Sequence, residues 1–496
     1  MLKKITYADA VNNRIFKDST SKRIIVMLPA YNEEDSIGHT LSSLVKLNKP
    51  KGVLLDVFIA LDNCTDNTEG VISRFKDDLD IFTLDTVNNH EHKVGALNQL
   101  YQLFLGKDDS ASDNLGQQQQ QVMNNVVAFL GIDADVYLEK DCLVTLYAEL
   151  NKKYNIAGVS ANYVSLLPET KRHLLQDDPQ AESKLTHGQY GGPITRFIAQ
   201  QQNRSFAQWT LEQKHNGYVA SILGGQCTLF RPEALIEVAH HFKLNGVYSS
   251  ETDTEDLLLT QQLRGLGWHP MISDHARCYV DSMKTMKAYA NQQRKWVTGK
   301  LDYTTKAGLS TAYARKNWLE EITLWMNMLI RLCLIVLVPL SLSLHMFRWS
   351  WVWSIPIVLG VILNLVVILK LPRHRFLDIL LSITLISPEF ALWFDAYVHL
   401  KSWQELAKVE RDDGWTQQYL AEQGKLKQTP YGFYIFLGLL GCIGVGIGTH
   451  LLSLNSLINA IHPYINDGFT LLTYLTIIAT VLMLRQLLKI RGPFKV

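Results

Sequence analysis

The sequence lacks the cysteine patterns of a disulfide-stabilised or zinc-stabilised protein. Its 496 residues include six cysteines, and none of these forms a C-x-x-C pair or another spacing typical of metal ligands. Unpaired, reduced thiols are typical of a soluble part in the cytosol, because disulfides persist mainly in oxidising compartments. We therefore expect the soluble part of the chain to face the cytoplasm.

An excess of charge of either sign is also absent. The chain has 48 Lys and Arg residues against 47 Asp and Glu residues, which gives a formal net charge of +1. This balance argues against a nucleic-acid partner and against a purely electrostatic membrane anchor.

The N-terminus lacks the apolar core of a signal peptide. A short amphipathic surface helix is predicted there from the spacing of Ile5, Ala8, Val11 and Ile15.

Long apolar runs are missing from the first 320 residues and frequent after them. The mean hydropathy of +0.01 is high for a soluble enzyme and conceals this split. We predict an N-terminal extension over 1–21, a catalytic domain over 22–310, and interfacial and transmembrane helices over 311–496, set among the lipids of a bacterial-type plasma membrane. Segments with the roughly 20 apolar residues of a membrane helix lie at 322–344, 350–371, 431–452 and 468–488.

A fifth apolar segment, 376–399, contains charged residues that are costly next to lipid, including Asp378 and Glu389. Lys and Arg are concentrated in 370–375 and 400–428, and the positive-inside rule places both on the side of the catalytic domain. Residues 376–399 would then lie at the interface or re-enter the membrane, which leaves four spans with the C-terminus inside. Five spans are the alternative.

Strand-like and helix-like patterns alternate in the first 320 residues. This alternation predicts a mostly parallel α/β sheet, and such sheets bind ligands at the carboxyl ends of their strands. The strand patterns occupy 22–35, 53–68, 124–141, 156–164 and 221–230.

Asp133 and Asp135 stand two residues apart at the end of the apolar strand "VVAFLGI". In an extended chain, residues i and i+2 lie on the same side, so both carboxylates can hold one divalent cation against a diphosphate. Oxygen ligands suit Mg²⁺ or Mn²⁺, with substrate phosphates completing the coordination. A D-x-D occurs often by chance, but its place after a buried strand favours a metal site.

Amides and carboxylates also follow two earlier strands, in "PAYNEED" and "ALDNCTDNT". By themselves, Asn32, Asn63 and Asp66 are typical of turns and helix caps. Their recurrence at two equivalent strand ends, ahead of the D-x-D, favours a nucleotide pocket. Lys93, at an apparent helix start, is placed to contact the diphosphate.

The run Thr254-Glu255-Asp256 precedes an apolar helix pattern. One interpretation is a capped helix N-terminus. The other is catalysis, since a carboxylate at a helix start stays ionised and can accept a proton from a sugar hydroxyl. The two interpretations are compatible, and we predict Asp256 as the general base with Glu255 supporting it.

Two glycines precede a polar pair in "SILGGQCTLF". Gly224 and Gly225 would let a substrate approach the backbone closely. Cys227 is predicted to pack or to line an acceptor site rather than to act as a nucleophile, because no base partner for it is visible in the sequence.

The ordered series "YNEE", "DNCTD", "HKVGALN", "DAD", "GGQC", "TED" and "QQRKW", followed by apolar helices, resembles the inverting family 2 glycosyltransferases. More narrowly, it is similar to the membrane-embedded processive branch: cellulose, hyaluronan, chitin-oligosaccharide and poly-N-acetylglucosamine synthases. The resemblance covers roughly residues 22–345. It implies a GT-A fold, a nucleotide-sugar donor, most simply a UDP-sugar, and a Mg²⁺ or Mn²⁺ ion.

The resemblance also assigns roles by position. Asp135 matches the metal-binding carboxylate, with Asp133 beside it, and Asp256 matches the general base. In the family, the signature tryptophan lines the acceptor-sugar site and the signature cation faces the diphosphate. The implied donor contacts are Tyr31, Glu33, Asp62, Lys93 and Asp133. The implied acceptor contacts are Gln292, Gln293, Arg294, Lys295 and Trp296, with Gly225 and Cys227.

Three features depart from the family's pattern. The signature arginine is Lys295 here, with Arg294 before it, and lysine keeps the charge but loses the bidentate fork. No apolar span precedes the catalytic domain, so we expect a partner subunit or a homo-oligomer to complete a channel. Finally, "RDDGWTQQ" around Trp415 only faintly resembles a Trp-Thr element that follows the channel helices in relatives.

Three functions are compatible with these patterns. The first is a processive synthase that adds sugars to a growing polysaccharide and passes it through the membrane. The second is a non-processive glycosyltransferase with a lipid acceptor, and the third is an inactive membrane scaffold. The Q-Q-x-x-W cluster and the apolar segments favour the first. Retention of Asp62, Asp133, Asp135 and Asp256 argues against the third.

Overall fold

The computed structural model describes residues 3–5, 21–105, 125–171, 191–343, 345–371, 374–408, 414–425, 459 and 462–490. Within these ranges the chain forms one nine-stranded sheet, followed by long apolar helices. The strands are β1 (Lys3–Lys4), β2 (Lys22–Ala30), β3 (Val53–Leu61), β4 (Asp80–Asp85), β5 (Val126–Ile132), β6 (Val136–Leu138), β7 (Ile156–Ser165), β8 (Cys227–Phe230) and β9 (His269–Val280).

Helices connect these strands and then continue beyond the sheet. Those that alternate with the strands are α1 (Ile37–Val45), α2 (Thr68–Ile72), α3 (His92–Leu105), α4 (Cys142–Leu150), α5 (Pro193–His215), α6 (Pro232–His241) and α7 (Glu255–Gly265). Those that follow the sheet are α8 (Met286–Ala307), α9 (Ala312–Ser343), α10 (Ser354–Lys370), α11 (Phe376–Ile383), α12 (Ile386–Leu406), α13 (Gly414–Glu422) and α14 (Ile465–Ile490).

The sheet is mixed, with the strand order β1-β4-β3-β2-β5-β8-β7-β9-β6. The first five strands in this order run parallel, β8 is antiparallel to both of its neighbours, and β6 is antiparallel to β9. Strands β2, β3 and β5 are apolar along nearly their whole length because a buried core covers each face of the sheet. The predicted α/β sheet is confirmed.

The strand pattern predicted over 221–230 is wrong in its first half. Only β8, the second half of this segment, pairs with neighbouring strands. The residues before it are held by side-chain hydrogen bonds instead. Leu223 N donates to Thr260 Oγ1 (2.8 Å), and Thr228 Oγ1 donates to Gly224 O (2.7 Å). These bonds replace the strand ladder in this segment, where Gly224 is buried and Gly225 is half-buried.

The beginning of the chain joins the sheet instead of forming a surface helix at Ile5. Strand β1 pairs in parallel with β4, and Ile5 N donates to Thr83 O at 2.9 Å. Ile5 is buried in the same core as Phe82. Ala8, Val11 and Ile15 lie outside the described residues.

Parallel pairing brings three polar strand ends to one edge of the sheet. Ala30 of β2 pairs with Leu61 of β3, and Met27 of β2 pairs with Gly131 of β5. The residues that follow these strands include Glu33, Asp62 and the D-x-D. They lie at the edge where ligands bind in sheets of this kind.

In the part of the chain that the structure describes, three helices, α9, α10 and α14, are long and apolar enough to cross a membrane. They coincide with the predicted segments 322–344, 350–371 and 468–488, although α9 begins earlier, at Ala312. Its first turns are tied to α8, where Asn317 Nδ2 donates to Thr304 Oγ1 at 3.0 Å. Segment 431–452 lies outside the described residues.

Segment 376–399 is broken. It contains α11 and most of α12, which meet at an angle of 69°. Leu385 at the break has a left-handed backbone, with φ of 59°. Such a bent pair is compatible with a broken span or a re-entrant segment, so both the four-span and the five-span topologies stay predictions.

Candidate active site

Most of the predicted site residues meet in one cavity of about 580 Å³ at the carboxyl edge of the sheet. Strand ends form one side of it, and the first residues of α7 and one face of α8 form the other. The predicted residues that line it are Tyr31, Glu33, Asp62, Lys93, Asp133, Asp135, Gly225, Glu255, Asp256, Gln292, Lys295 and Trp296.

Lys93, near the start of α3, is a half-buried cation that lines this cavity. Its Nζ lies 2.5 Å from Asp133 Oδ1 and 3.6 Å from Glu255 Oε1. Burial opposes its charge, but these two carboxylates hold the pKa of Lys93 above its ordinary value, so the ammonium stays charged. Gly225 leaves room for the pair, because a Cβ there would lie 2.8 Å from Lys93 Nζ.

Asp135 and Glu33 concentrate negative charge beside Asp133. Burial raises the pKa of Asp135 to about 7, and the charge of Asp133 adds to the shift. Burial also raises the pKa of Glu33 to about 8, with a further contribution from Asp135. Crowded carboxylates of this kind are stabilised in their ionised form by a nearby cation.

The donor set fits a cation that shares its coordination with a substrate. Among the described residues, no three or more His, Cys, Asp or Glu side chains are grouped so that they could hold a metal ion by themselves. Mg²⁺ and Mn²⁺ are commonly held by one or two carboxylates together with substrate phosphates. Asp133 and Asp135 meet that description.

Asp256, the second residue of α7, is a carboxylate that lines this cavity. Its Oδ1 accepts a hydrogen bond from Leu257 N at 2.8 Å. Burial raises the pKa of Asp256 to about 6, and the like charge of Glu255 adds to the shift. At neutral pH most of the carboxylate is ionised, yet it is more basic than an ordinary aspartate.

Helix α8 presents one face of the signature to the cavity. Gln292, Lys295 and Trp296 line it, and their i, i+3, i+4 spacing places them on the same side of a helix. Gln293 and Arg294 are not among the described lining residues. Burial lowers the pKa of Lys295 to about 8, a shift that Glu255 only partly opposes.

Cys227 lies in the sheet core rather than on the cavity wall. It is fully buried, and its Sγ lies 3.9 Å from Cys142 Sγ. Of the two roles considered for Cys227, its surroundings match packing.

The asparagines after β2 and β3 form the loops that carry the lining carboxylates. Asn32 and Asn63 have left-handed backbones, with φ of 54° and 51°. Asn32 Oδ1 accepts from Thr65 N at 2.7 Å, which ties the two loops together. Asp62 Oδ1 accepts from Asn63 Nδ2 at 3.0 Å. Asn32 and Asn63 therefore form turns, which was one of the two interpretations of the sequence, while Glu33 and Asp62 face the cavity.

Helix α13 covers part of the cavity, and a sign of this in the sequence was the faint Trp-Thr resemblance around Trp415. Trp415, Tyr419 and Glu422 line the site. The ammonium of Lys295 lies over the Trp415 ring, and Asn32 Nδ2 donates to Tyr419 Oη at 3.3 Å. The i, i+4, i+7 spacing of these three residues was a further signal, since it marks one face of a helix.

A mixed sheet whose parallel edge carries a D-x-D, a half-buried lysine and a helix-start carboxylate defines a GT-A type of fold. The family model described as "Glycosyltransferase like family 2" matches residues 22–299, more than half of the chain. The chain belongs to this family and is a glycosyltransferase. The family resemblance and the GT-A fold inferred from the sequence are confirmed.

Curated relatives are distant. The chain is 21% identical over 293 residues to the poly-β-1,6-N-acetyl-D-glucosamine synthase of Staphylococcus epidermidis, which is 59% of this chain and 58% of that protein. It is 21% identical over 279 residues to the synthase of the same name from Staphylococcus aureus strain MSSA476, covering 56% and 54% of the two chains. The chain thus spans little more than half the length of the curated relatives it matches.

Solved structures give weaker likenesses. A mannosyltransferase from Pyrobaculum calidifontis, in complex with GDP-Man and Mn²⁺, aligns with a TM-score of 0.37 at 14% identity and covers 96% of this chain and 93% of its own. S. aureus TarS 1–349 in complex with UDP aligns with a TM-score of 0.32 at 13% identity, covering 82% and 93%. Neither score is high enough to support an inference about this chain.

Proposed function

We propose that this glycosyltransferase is membrane-embedded and inverting. It moves a sugar from a nucleotide-sugar donor, of the UDP type, to the hydroxyl of a growing polysaccharide and passes the product through the membrane. The catalytic cavity faces the cytoplasm. The names of the curated relatives suggest N-acetylglucosamine as the first sugar to test.

One observation carries this proposal. Lys93, Asp133 and Asp256 line the same cavity as Trp296, which lies on α8. Helix α8 is followed almost directly by α9, a helix long and apolar enough to cross a membrane. The helix that lines the donor cavity thus leads directly into an apolar helix, which is the arrangement expected when a product leaves the site along the apolar helices.

On the donor side, Asp133 and Asp135 would hold Mg²⁺ or Mn²⁺, which when bound supplies positive charge to the diphosphate leaving group. Lys93 adds a fixed ammonium to the same region, and Lys295 on α8 adds a second. Both cations are already in place in the folded chain, so little reorganisation is needed as the leaving group becomes charged.

On the acceptor side, Asp256 accepts the proton of the attacking hydroxyl. The hydroxyl oxygen forms a bond to the anomeric carbon as the bond from that carbon to the diphosphate oxygen breaks, and the configuration inverts. No covalent bond between the sugar and the enzyme is required. Trp296 offers a ring face against which the acceptor sugar stacks.

The test is a donor screen in membranes that contain the enzyme. Labelled UDP- and GDP-sugars are supplied with Mn²⁺ or Mg²⁺, and the products are separated by size and by solubility. A ladder or a long polymer is expected. A single glycolipid extracted into organic solvent would instead identify a non-processive enzyme with a lipid acceptor.

The matched control is Asp256→Asn, which keeps the shape of the side chain and removes the base. We expect it to lose transfer while it still binds the nucleotide. Unchanged turnover in this variant would show that Asp256 is not the base.

A further inference from the structure

Helix α5 carries a run of consecutive polar residues, 200–204, in its buried middle. Residues 200–203 expose only 2–6% of their surface. Burying amide groups is costly unless they are hydrogen-bonded. Five consecutive residues also point in all directions around a helix, since each is turned about 100° from the last. The polar run therefore has to find partners on every side of α5.

The contacts of the polar run reach five different elements. Each of the five side chains donates at least one hydrogen bond to a neighbouring element, and together these bonds fix both the position and the rotation of α5. The bonds are Gln200 Nε2 to Asp378 Oδ2 of α11 (3.0 Å), Gln201 Nε2 to Ser387 Oγ of α12 (2.5 Å), Gln202 Nε2 to Gln292 Oε1 of α8 (2.9 Å), Asn203 Nδ2 to Ser165 O of β7 (3.1 Å), and Arg204 Nη2 to Asn364 Oδ1 of α10.

Gln202 holds a side chain of the cavity wall. Its Nε2 donates to Gln292 Oε1, and its Oε1 accepts from Ser165 Oγ at 3.1 Å. Both ends of the Gln202 amide are used, so it cannot rotate without breaking one bond. Gln292 is 8% exposed and lines the cavity beside Lys295 and Trp296. The orientation of the Gln292 amide therefore depends on Gln202.

The other contacts hold both arms of the bent helix pair, α11 and α12. Arg196, one turn before the polar run, donates from both Nη1 and Nη2 to Asp378, at 3.0 Å each. Gln201 reaches Ser387, just after the break. Helix α5 thus contacts Gln292, on the cavity wall, and the helices on both sides of the break between α11 and α12.

We propose that Gln202 is a positioning residue for the acceptor: it orients Gln292, and the polar run of α5 connects the acceptor wall to the bent pair. This inference rests on the proposed function, in which Gln292 contacts the acceptor. Gln202 is also among the residues that line the cavity, and it acts on the acceptor through its hydrogen bond to Gln292.

The test compares Gln202→Met with Gln208→Met, a matched change at an exposed position of the same helix. The probes are UDP-N-acetylglucosamine as donor and a short β-1,6-linked N-acetylglucosamine oligomer as acceptor. For Gln202→Met we expect the acceptor KM to rise roughly three- to tenfold, the effect of one lost buried hydrogen bond. The donor KM should stay at the wild-type value, and Gln208→Met should match the wild type in both constants.

A double-mutant cycle separates positioning from general damage. If Gln202 acts through Gln292, Gln202→Met should add little to the effect of Gln292→Met. Where Gln202→Met does not fold, Gln202→Glu serves instead, since it keeps the acceptor for Ser165 and removes the donor to Gln292. Fully additive effects, or a wild-type acceptor KM in Gln202→Met, would overturn the inference alone. A wild-type enzyme that transfers nothing to the oligomer would contradict the proposed function for this sugar, and the inference would fall with it.

Discussion

The pH dependence of transfer follows from the surroundings of Asp256. The base must be ionised to accept a proton, and burial together with the charge of Glu255 raises the pKa of Asp256 to about 6. A raised pKa means that the active, ionised form is lost as the pH falls through about 6. An ordinary aspartate would lose it only near pH 4.

The size of the effect can be worked out from that value. With a pKa of about 6, about nine-tenths of Asp256 is ionised at pH 7 and about one-tenth at pH 5. The kcat should therefore fall about tenfold between these pH values, whereas an unperturbed aspartate would lose less than about a tenth of its ionised form.

Two neighbours of Asp256 should move this midpoint in opposite directions. Glu255→Gln removes a like charge that raises the pKa of Asp256, so the midpoint should move to lower pH. Lys93→Met removes a positive charge that lowers this pKa, so the midpoint should move to higher pH. Opposite shifts are a stronger test than either alone, because general damage to the site would not reverse sign.

The assay is kcat against pH at saturating donor and metal, by release of the nucleotide. Saturation matters because Asp135 and Glu33, with pKa values raised to about 7 and about 8, titrate in the same range when no cation is bound. The profile of kcat reports the enzyme–substrate complex. A midpoint near pH 4, or shifts of the same sign in both variants, would refute the reasoning.

Two further predictions concern single cations. Lys295→Ala should lower kcat on the order of a hundredfold, the usual loss when one charge-stabilising donor is removed. Arg294→Ala should change kcat little. Release of the nucleotide measures both variants, and a larger loss in Arg294→Ala would assign the diphosphate contact to Arg294. Arg23→Met should destabilise the sheet by about 3 kcal/mol, because it leaves Asp56 buried without the partner whose Nη1 lies 2.7 Å away. Thermal unfolding in detergent checks this, with Lys3→Met as the control, since its ion pair is exposed and should contribute less than about 1 kcal/mol.

The strands and the acidic sheet edge could be predicted because their signals are local. An apolar run such as "VVAFLGI" needs burial on both faces, and the D-x-D follows it directly in the chain. Strand β5 ends at Ile132, and both aspartates line the cavity as expected. The same logic failed at 221–226, where side-chain hydrogen bonds compete with strand pairing.

The cover of the cavity and the role of α5 could not be predicted because they depend on contacts between distant parts of the chain. Asn32 and Tyr419 form a hydrogen bond across 387 positions of sequence. Gln202 and Gln292 do so across 90. A polar run in a helix normally indicates a solvated face, and only the packing of other elements around α5 shows that this one is buried.

The sequence by itself determined the class of chemistry: the order of the motifs, the carboxylates at strand ends and the apolar helices after them define a family 2 glycosyltransferase. Tertiary structure decided which cation of "QQRKW" lines the cavity, in agreement with the position of Lys295 in the signature. Lys295 lines the cavity, whereas Arg294 is not among its lining residues and its backbone O accepts from Ser402 Oγ of α12 at 3.3 Å. Only the packing of α8 against the sheet edge selects Lys295.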